Sequence, residues 1–304
     1  MYQYGSFSYS CDKIKLKGKL SKQYFPFPQK SKIRSWIDYC LPEWCECVKF
    51  TECLYAFKYR YSYTLRIKGE KEGVFFIAEY YNGDFREQAS VPEKFILEYN
   101  PNKSGSRIYE EFCSTFLFTF TEITSFDIAY DIPNANVNDV FINTRADVMT
   151  YGKTTNKTLY IAPKEDNSGR VKVYSKHIER EQKGIEIPDT LRIEATIKCK
   201  GLDFSFISLY GKTLEELDKT LNHLNSVKIK KQADTFCDWK VFALSRLSPE
   251  ELQTALNMMS STPRAKYRKL VCEDTYYTLG LDLMTFCTHI STILTPWIAR
   301  FKIV

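Results

Sequence analysis

Three segments of the chain alternate polar and apolar residues with a period of two, which restricts each to a strand of a sheet with one wet face. In the first, Phe126, Ile128, Tyr130 and Ile132 oppose Asp127, Ala129 and Asp131. In the second, Val171 and Val173 oppose Arg170, Lys172, Tyr174 and Lys176. In the third, Leu191, Ile193, Ala195 and Ile197 oppose Arg192, Glu194, Thr196 and Lys198. One such segment is what any half-solvated antiparallel sheet shows. Three in succession, with a tyrosine among the charges, predict a site on the polar face.

The groups on that face suit phosphate chemistry. A phenol is a weak nucleophile because its unperturbed pKa is near ~10, and nearby cations favour its ionised form. The same cations would hold a phosphate. Tyr174 is therefore the candidate nucleophile toward a phosphodiester. Lys172, Lys176 and Arg192 would offset charge developing in the transition state, and Arg170 would contact DNA. Asp127 or Asp131, together with Glu194, supplies the oxygen ligands that Mg²⁺ or Mn²⁺ prefers. Glu98 is a further carboxylate that this arrangement would accommodate. His177 and Glu179 lie near the tyrosine without an evident role.

Several other chemistries are disfavoured. The chain has 3 His, at 177, 223 and 289, with neither an H-x-H pair nor an H-E-x-x-H motif. This excludes the two-histidine centre of the HUH nucleases and disfavours zinc hydrolases. Gly152-Lys153-Thr154 ends like a phosphate-binding loop, but Asp147 stands where its first glycine belongs, so a turn is expected. Cys40, Cys45, Cys47 and Cys53 cluster with a spacing that matches no common zinc pattern. No secretory signal opens the sequence and no run approaches the ~18 apolar residues of a membrane span. A reduced, cytoplasmic setting without membrane contact is expected for the 10 Cys. At 304 residues, 44% of them hydrophobic, a packed core is affordable, and the net charge of +6 is compatible with nucleic acid.

Further strands are predicted over 7–20, 55–66, 73–81 and 95–99, and helices over 31–40, 107–118 and 137–148. The face shared by Tyr55, Phe57, Tyr59, Tyr61, Tyr63 and Leu65 reads as core more readily than as a platform for bases. After Lys200 the pattern becomes helical. Thr213 to Leu224 has helical spacing, Ser248-Pro249-Glu250-Glu251 opens another helix, and Thr262-Pro263-Arg264 opens a third. The last carries Arg264, Lys266, Arg268 and Lys269, compatible either with a helix-turn-helix reader of duplex DNA or with a solvated face. Lys228, Lys230 and Lys231 form a second basic cluster. The fold class is α+β, an antiparallel central sheet with flanking helices. One α+β domain is expected over residues 1–200 and a mainly helical part over 201–304.

At these residues the sequence resembles the Rep_trans family of rolling-circle replication initiators. The order runs Asp127-Ile128-Ala129-Tyr130-Asp131, Thr158-Leu159-Tyr160-Ile161, Val171-Lys172-Val173-Tyr174-Ser175-Lys176, then Leu191-Arg192-Ile193-Glu194. Phe95 to Lys103 also resembles the E-F-N-P-N-K stretch of many members. Three positions depart from the family pattern: Ser125 where Arg is usual, Ala162 for Gly, and Ser175 for Asp or Asn. The resemblance implies an HUH-like nuclease core without the His pair. It implies that Tyr174 nicks one strand of a double-strand origin, forming a 5′-phosphotyrosine and freeing a 3′-OH that primes synthesis. It also implies a homodimer, a host helicase as partner, and origin recognition toward the C-terminus. A relaxase of an integrative element would share the chemistry, and an inactive DNA-binding regulator would share the fold.

Overall fold

The computed structural model describes residues 2–4, 7–20, 32–52, 59–80, 94–115, 118–153, 156–163, 169–199, 213–230 and 239–299. Its first half comprises β1 (Tyr2–Tyr4), β2 (Phe7–Leu20), α1 (Lys32–Tyr39), β3 (Cys45–Glu52), β4 (Tyr59–Ile67), β5 (Phe75–Tyr80), β6 (Lys94–Tyr99), α2 (Gly105–Thr115) and β7 (Phe118–Pro133). Then follow β8 (Val140–Ile142), β9 (Val148–Tyr151), β10 (Thr158–Ile161), β11 (Val171–Ser175), α3 (Lys176–Glu181) and β12 (Thr190–Lys198). The remainder is α4 (Thr213–Asn225), β13 (Val227–Lys230), α5 (Trp239–Ser245), α6 (Pro249–Met258), α7 (Ser261–Thr275), β14 (Tyr276–Tyr277) and α8 (Leu283–Ala299). Tyr55, Phe57 and Lys231 lie outside the described residues.

The architecture is α+β. One antiparallel sheet has the order β3-β4-β5-β6-β2-β7-β12-β11-β10-β9, with β1 on β2, and a small second sheet has the order β14-β13-β8. The long strands β2 and β7 sit at the centre and join the halves. Along β7, Phe126, Ile128, Tyr130 and Ile132 face the core at no more than 2% exposure. A slip of one residue would turn all four to water, at about 1.5–3 kcal/mol each, so the register is firmly set. Tyr63 and Leu65 of β4 are fully buried, in agreement with the core reading of that aromatic strand.

The apolar face is covered by helices. Ile33 and Trp36 of α1 and Ile108 and Phe112 of α2 join the same core as Leu217, Leu221 and Leu224 of α4 and Phe286, Ile290 and Leu294 of α8. The expected boundary at residue 200 therefore does not divide the core, because α4 and α8 complete it from beyond. A separate small core lies within α5, α6 and α7, built from Val241, Leu244, Leu252, Leu256 and Val271 around Phe141 of β8. α6 opens as predicted: Ser248 accepts from the Glu251 amide and the Glu251 side chain accepts from the Ser248 amide, with Pro at the first turn. No helix among the described residues is long and apolar enough to cross a membrane.

Two expectations fail locally. The helix predicted over 137–148 is a single 3-10 turn at Val137–Asp139, capped by Asn136, followed by β8 and β9. The run Val137-Asn138-Asp139-Val140-Phe141-Ile142 is rich in weak helix formers, and β8 gains backbone partners on β13. Lys176 is not a strand residue either; it starts α3, although its side chain still reaches the tyrosine.

Gly152 makes the expected turn between β9 and β10, at φ +93°, where an added Cβ would lie 2.4 Å from the Asn156 carbonyl oxygen. At the other end of β10, Ala162 sits at φ +51°, the left-handed region that suits glycine. An alanine there costs about 1–2 kcal/mol, against the 0.4–1 kcal/mol that glycine's freer unfolded chain costs. Ala162→Gly is expected to be stabilising by about 0.5–1 kcal/mol in urea denaturation. A loss of stability would show that the backbone there is not strained.

Candidate active site

The polar face of the central sheet is assembled by cross-strand register. Tyr174 pairs with Arg192 and Lys172 with Glu194 between β11 and β12. Arg192 in turn pairs with Asp131, and Thr196 with Asp127, between β12 and β7. The three alternating segments are thus adjacent strands with their charged faces on one side.

Tyr174 is buried, and its hydroxyl donates to Glu194 Oε1 at 2.5 Å. Lys172 Nζ lies 4.1 Å from the centre of its ring and 3.3 Å from Glu194 Oε2. Lys176, also buried, donates to the tyrosine oxygen at 3.4 Å and pairs with Glu179. The expectation that cations alone favour the phenolate is corrected. Burial, and then the Glu194 charge, push the Tyr174 phenol well above its ordinary value, with Arg192 pulling the other way. The resting site holds a neutral phenol aimed at a carboxylate. Burial lowers the proton affinity of Lys176, helped by Arg192 and opposed by Glu179.

Arg192 joins two carboxylates. Its Nε and Nη2 donate to Asp131 at 2.6 and 2.5 Å, and its Nη1 donates to Asp12 Oδ1 at 2.9 Å. Asp131 is thereby engaged in a bidentate pair, which disfavours it as a metal ligand. Arg192 likewise braces the site more directly than it faces a substrate.

Asp12 was not anticipated. β2 carries a bulge here: Cys11 pairs with Ile128 and Lys13 with Asp127, leaving Asp12 as the extra residue. The bulge re-aims Asp12 onto the polar face beside Glu194. The sequence holds the signal, since the core positions Phe7, Tyr9 and Cys11 change phase to Ile14 and Leu16. The segment after β6 secures the bulge. Asn100 Nδ2 donates to Asp12 Oδ1 at 3.0 Å and Asn102 Nδ2 donates to the Cys11 carbonyl at 2.5 Å. Burial works to raise the Asp12 carboxyl, but Arg192, Lys176 and the hydrogen bond from Asn100 hold it below the usual range. Burial raises Glu194, against the pull of Lys172. Of this pair, Glu194 has the higher proton affinity.

Asp127 lies one step along the same face, near Lys13 at 3.9 Å, with Oδ1 buried and unpartnered. Burial raises its carboxyl as well. Glu98 shares the face but pairs with Lys13 and Lys15, at 3.4 and 3.6 Å. Arg170 is exposed just before β11. His177 takes a structural part: its Nδ1 accepts from the Thr190 amide at 3.2 Å. No three His, Cys, Asp or Glu side chains among the described residues are grouped closely enough to hold a metal ion by themselves.

A second unanticipated residue, Glu72, fixes the helix that follows the tyrosine. Its carboxylate meets Lys103 at 2.8 Å, and Arg180 of α3 and Lys183 just beyond it each at 2.6 Å. Lys183 also pairs with Glu179 at 2.6 Å, so a chain of ion pairs runs from Lys176 to Glu72. Despite burial, these cations hold Glu72 and Glu179 at about 2. Both are depressed from an unfolded value near ~4.3, so their contribution is full above that pH and lost as pH falls from ~4.3 toward 2. Glu72→Gln is expected to lower the melting temperature at pH 7 by about 2–4 °C, a gap that closes on acidification. An equal gap at pH 7 and pH 2.5 would contradict the assignment.

Of the four cations on α7, Arg264 closes α6 by donating to the carbonyls of Met259 (2.6 Å) and Asn257 (2.7 Å). The Nε of Arg268 is buried without a partner, while Lys266 and Lys269 are exposed. Arg264 is thus occupied by a structural contact, which disfavours it as a base reader.

No protein-family model matches the sequence, and no curated relative matches it. Among solved structures the chain is similar to a rolling circle replication initiator protein from Geobacillus stearothermophilus, at 15% identity and a TM-score of 0.35. That match covers 77% of this chain and 91% of the other. An overlap this loose settles neither activity nor partner.

Proposed function

We propose that the chain is a site-specific DNA nicking and joining enzyme that initiates rolling-circle replication. One observation carries the reading: a buried phenol, hydrogen-bonded to a carboxylate and flanked by Lys172 and Lys176, on the open face of an antiparallel sheet. Tyr174 Oη attacks the scissile phosphorus, its proton passes to Glu194, and the bond from phosphorus to the 3′ oxygen breaks, that oxygen taking up a proton from water. The products are a 5′-phosphotyrosine and a free 3′-OH. Rejoining reverses the exchange, since the tyrosyl ester conserves the bond energy. Lys172 and Lys176 stand where charge develops. Arg192 holds Asp12 and Asp131 and so fixes Glu194's surroundings.

The donor set fits a hard divalent cation. Asp12 and Glu194 are adjacent carboxylates and Asp127 has an orphaned oxygen, while Mg²⁺ typically takes one or two carboxylates and completes its shell with phosphate and water. One or two of these carboxylates, Glu194 with Asp12 or with Asp127, would hold Mg²⁺ or Mn²⁺ together with phosphate and water, and the ion would polarise a phosphate oxygen. This set replaces Asp131 with Asp12. DNA is the expected partner, and Arg170, Lys266, Arg268 and Lys269 remain candidate contacts.

The test is nicking of a supercoiled plasmid that carries the origin next to the chain's own gene. With Mn²⁺ or Mg²⁺, open circles and protein linked to a 5′ end are expected, and chelation should abolish both. Specific binding without any cleavage would instead favour the inactive regulator on the same fold.

A further inference from the structure

The face that carries Tyr174 does not end at β11. Cross-strand register continues it outward to the edge of the sheet. Tyr174 is paired with Thr158 of β10, and Thr158 with Tyr151 of β9. Lys172 is paired with Tyr160, and Tyr160 with Met149. Residues directly opposite each other in an antiparallel pair project from the same side of the sheet. The alternate residues Leu159, Ile161, Val171 and Val173 are buried in the core on the other side. Thr158, Tyr160, Met149 and Tyr151 therefore share the surface of the nucleophile.

Two rings on this extension are only partly taken up by the protein. Tyr151 is 55% exposed, at the end of the outermost strand, and Tyr160 is half-buried. Their ring centres are 5.2 Å apart with the planes at 87°, so the edge of one ring meets the face of the other. In that arrangement each ring keeps at least one face that the other does not cover. The Tyr151 hydroxyl donates to Met149 Sδ at 3.5 Å, which ties the ring to its own strand. One exposed aromatic on a surface needs no explanation. Two rings fixed against each other, in register with the nucleophile, do.

Position and chemistry identify the occupant. Two strand spacings, ~10 Å, separate Tyr151 from Tyr174 across the sheet, and Tyr160 lies diagonally opposite Tyr174. Lys172 stands between them, 4.1 Å from the centre of the Tyr174 ring and with its side chain 34% exposed. A strand whose phosphate meets Tyr174 and Lys172 carries its neighbouring base over β10 and β9. Every base has a π-face, and a protein ring can stack on it only where the base is not enclosed in a duplex.

We infer that Tyr151 and Tyr160 form a stacking subsite for an unpaired base adjoining the phosphodiester presented to Tyr174. This rests on the nicking reading for which phosphodiester is presented, but its test does not depend on cleavage.

The test uses the full chain as Tyr174→Phe, so that binding is read without cleavage. A labelled oligo(dT) of about 20 nucleotides and an abasic strand of equal length and charge are titrated by fluorescence anisotropy. Tyr151→Ala is expected to weaken oligo(dT) binding by about tenfold and abasic-strand binding by less than about twofold. Tyr151→Phe keeps the ring and should retain most of the affinity. Tyr160→Leu, which preserves bulk at the half-buried position, should show the same bias against oligo(dT). Unchanged oligo(dT) affinity in Tyr151→Ala would overturn the inference. Equal losses for the two strands would overturn it as well, since a backbone or folding effect treats them alike. A change in sedimenting mass with no change in binding would assign the exposed edge to a second copy of the chain and have the same force. Should the plasmid fail to be nicked while the preference for oligo(dT) depends on Tyr151, the nicking reading falls and this one stands. Nicking by a chain whose strand preference ignores Tyr151 has the opposite meaning.

Discussion

Tyr174→Phe is expected to abolish both nicking and the covalent protein–DNA product, with a rate loss of at least about 10³-fold. The substitution removes one oxygen and leaves the ring, so packing against Lys172 is retained. Glu194 loses its donor, which costs about 1–3 kcal/mol for a buried acceptor left without its partner. A chain with a core of this size tolerates that cost, and DNA binding should persist. The measurement is a plasmid nicking time course with denaturing electrophoresis of the adduct. Nicking that survived would point to another of the 21 tyrosines. Tyr160, on the adjacent strand and paired with Lys172, is the first to examine.

Arg192→Leu carries the largest expected effect on stability. Arg192 is 6% exposed and neutralises two partly buried carboxylates on different strands. Removing it leaves both charges uncompensated, at about 3–5 kcal/mol. Arg192→Lys should recover only part of this, since a single ammonium cannot serve Asp131 through two parallel bonds and reach Asp12 as well. The pH dependence gives the sign. Arg192 helps hold Asp12 below its unfolded value, so that stabilisation is present above ~3.9 and fades as pH falls through the folded value. The variant lacks it, so the gap between the two proteins is expected to narrow from pH 7 to pH 3. Urea midpoints across that range check this; a constant gap would mean that the loss arises from packing alone.

Much of the sheet was legible because strand periodicity and register are tightly linked. The alternation in 126–132, 170–176 and 191–198 assigns faces, and adjacency then brings Tyr174, Glu194, Lys172 and Arg192 together. What stayed hidden was which charges are spent on one another. Asp131 and Asp127 occupy equivalent places in the pattern, yet one is clasped by Arg192 and the other has an unpartnered oxygen. Such pairing depends on side-chain reach across strands, which a linear pattern does not encode. Glu72 was hidden for a similar reason: it sits in a turn, and its partners Lys103, Arg180 and Lys183 come from two segments about 30 and 110 residues away, brought close only by the fold. The missed 3-10 turn at Val137–Asp139 shows the opposite failure, a weak helical pattern overruled by a strand partner on β13.

The extra residue in β2 has a consequence for finding other chains with this architecture. Because Asp12 is inserted into the alternation, any sequence building the same pocket should show two consecutive polar residues in its first long strand, with the apolar phase reversed on either side. A profile that scores strict alternation would penalise that doublet as noise, although it marks the spot where the amino terminus contributes to the pocket. Paired with an Asn-Pro-Asn turn some 90 residues later, the doublet forms a two-part signature detectable at identities where whole-chain comparison falls silent.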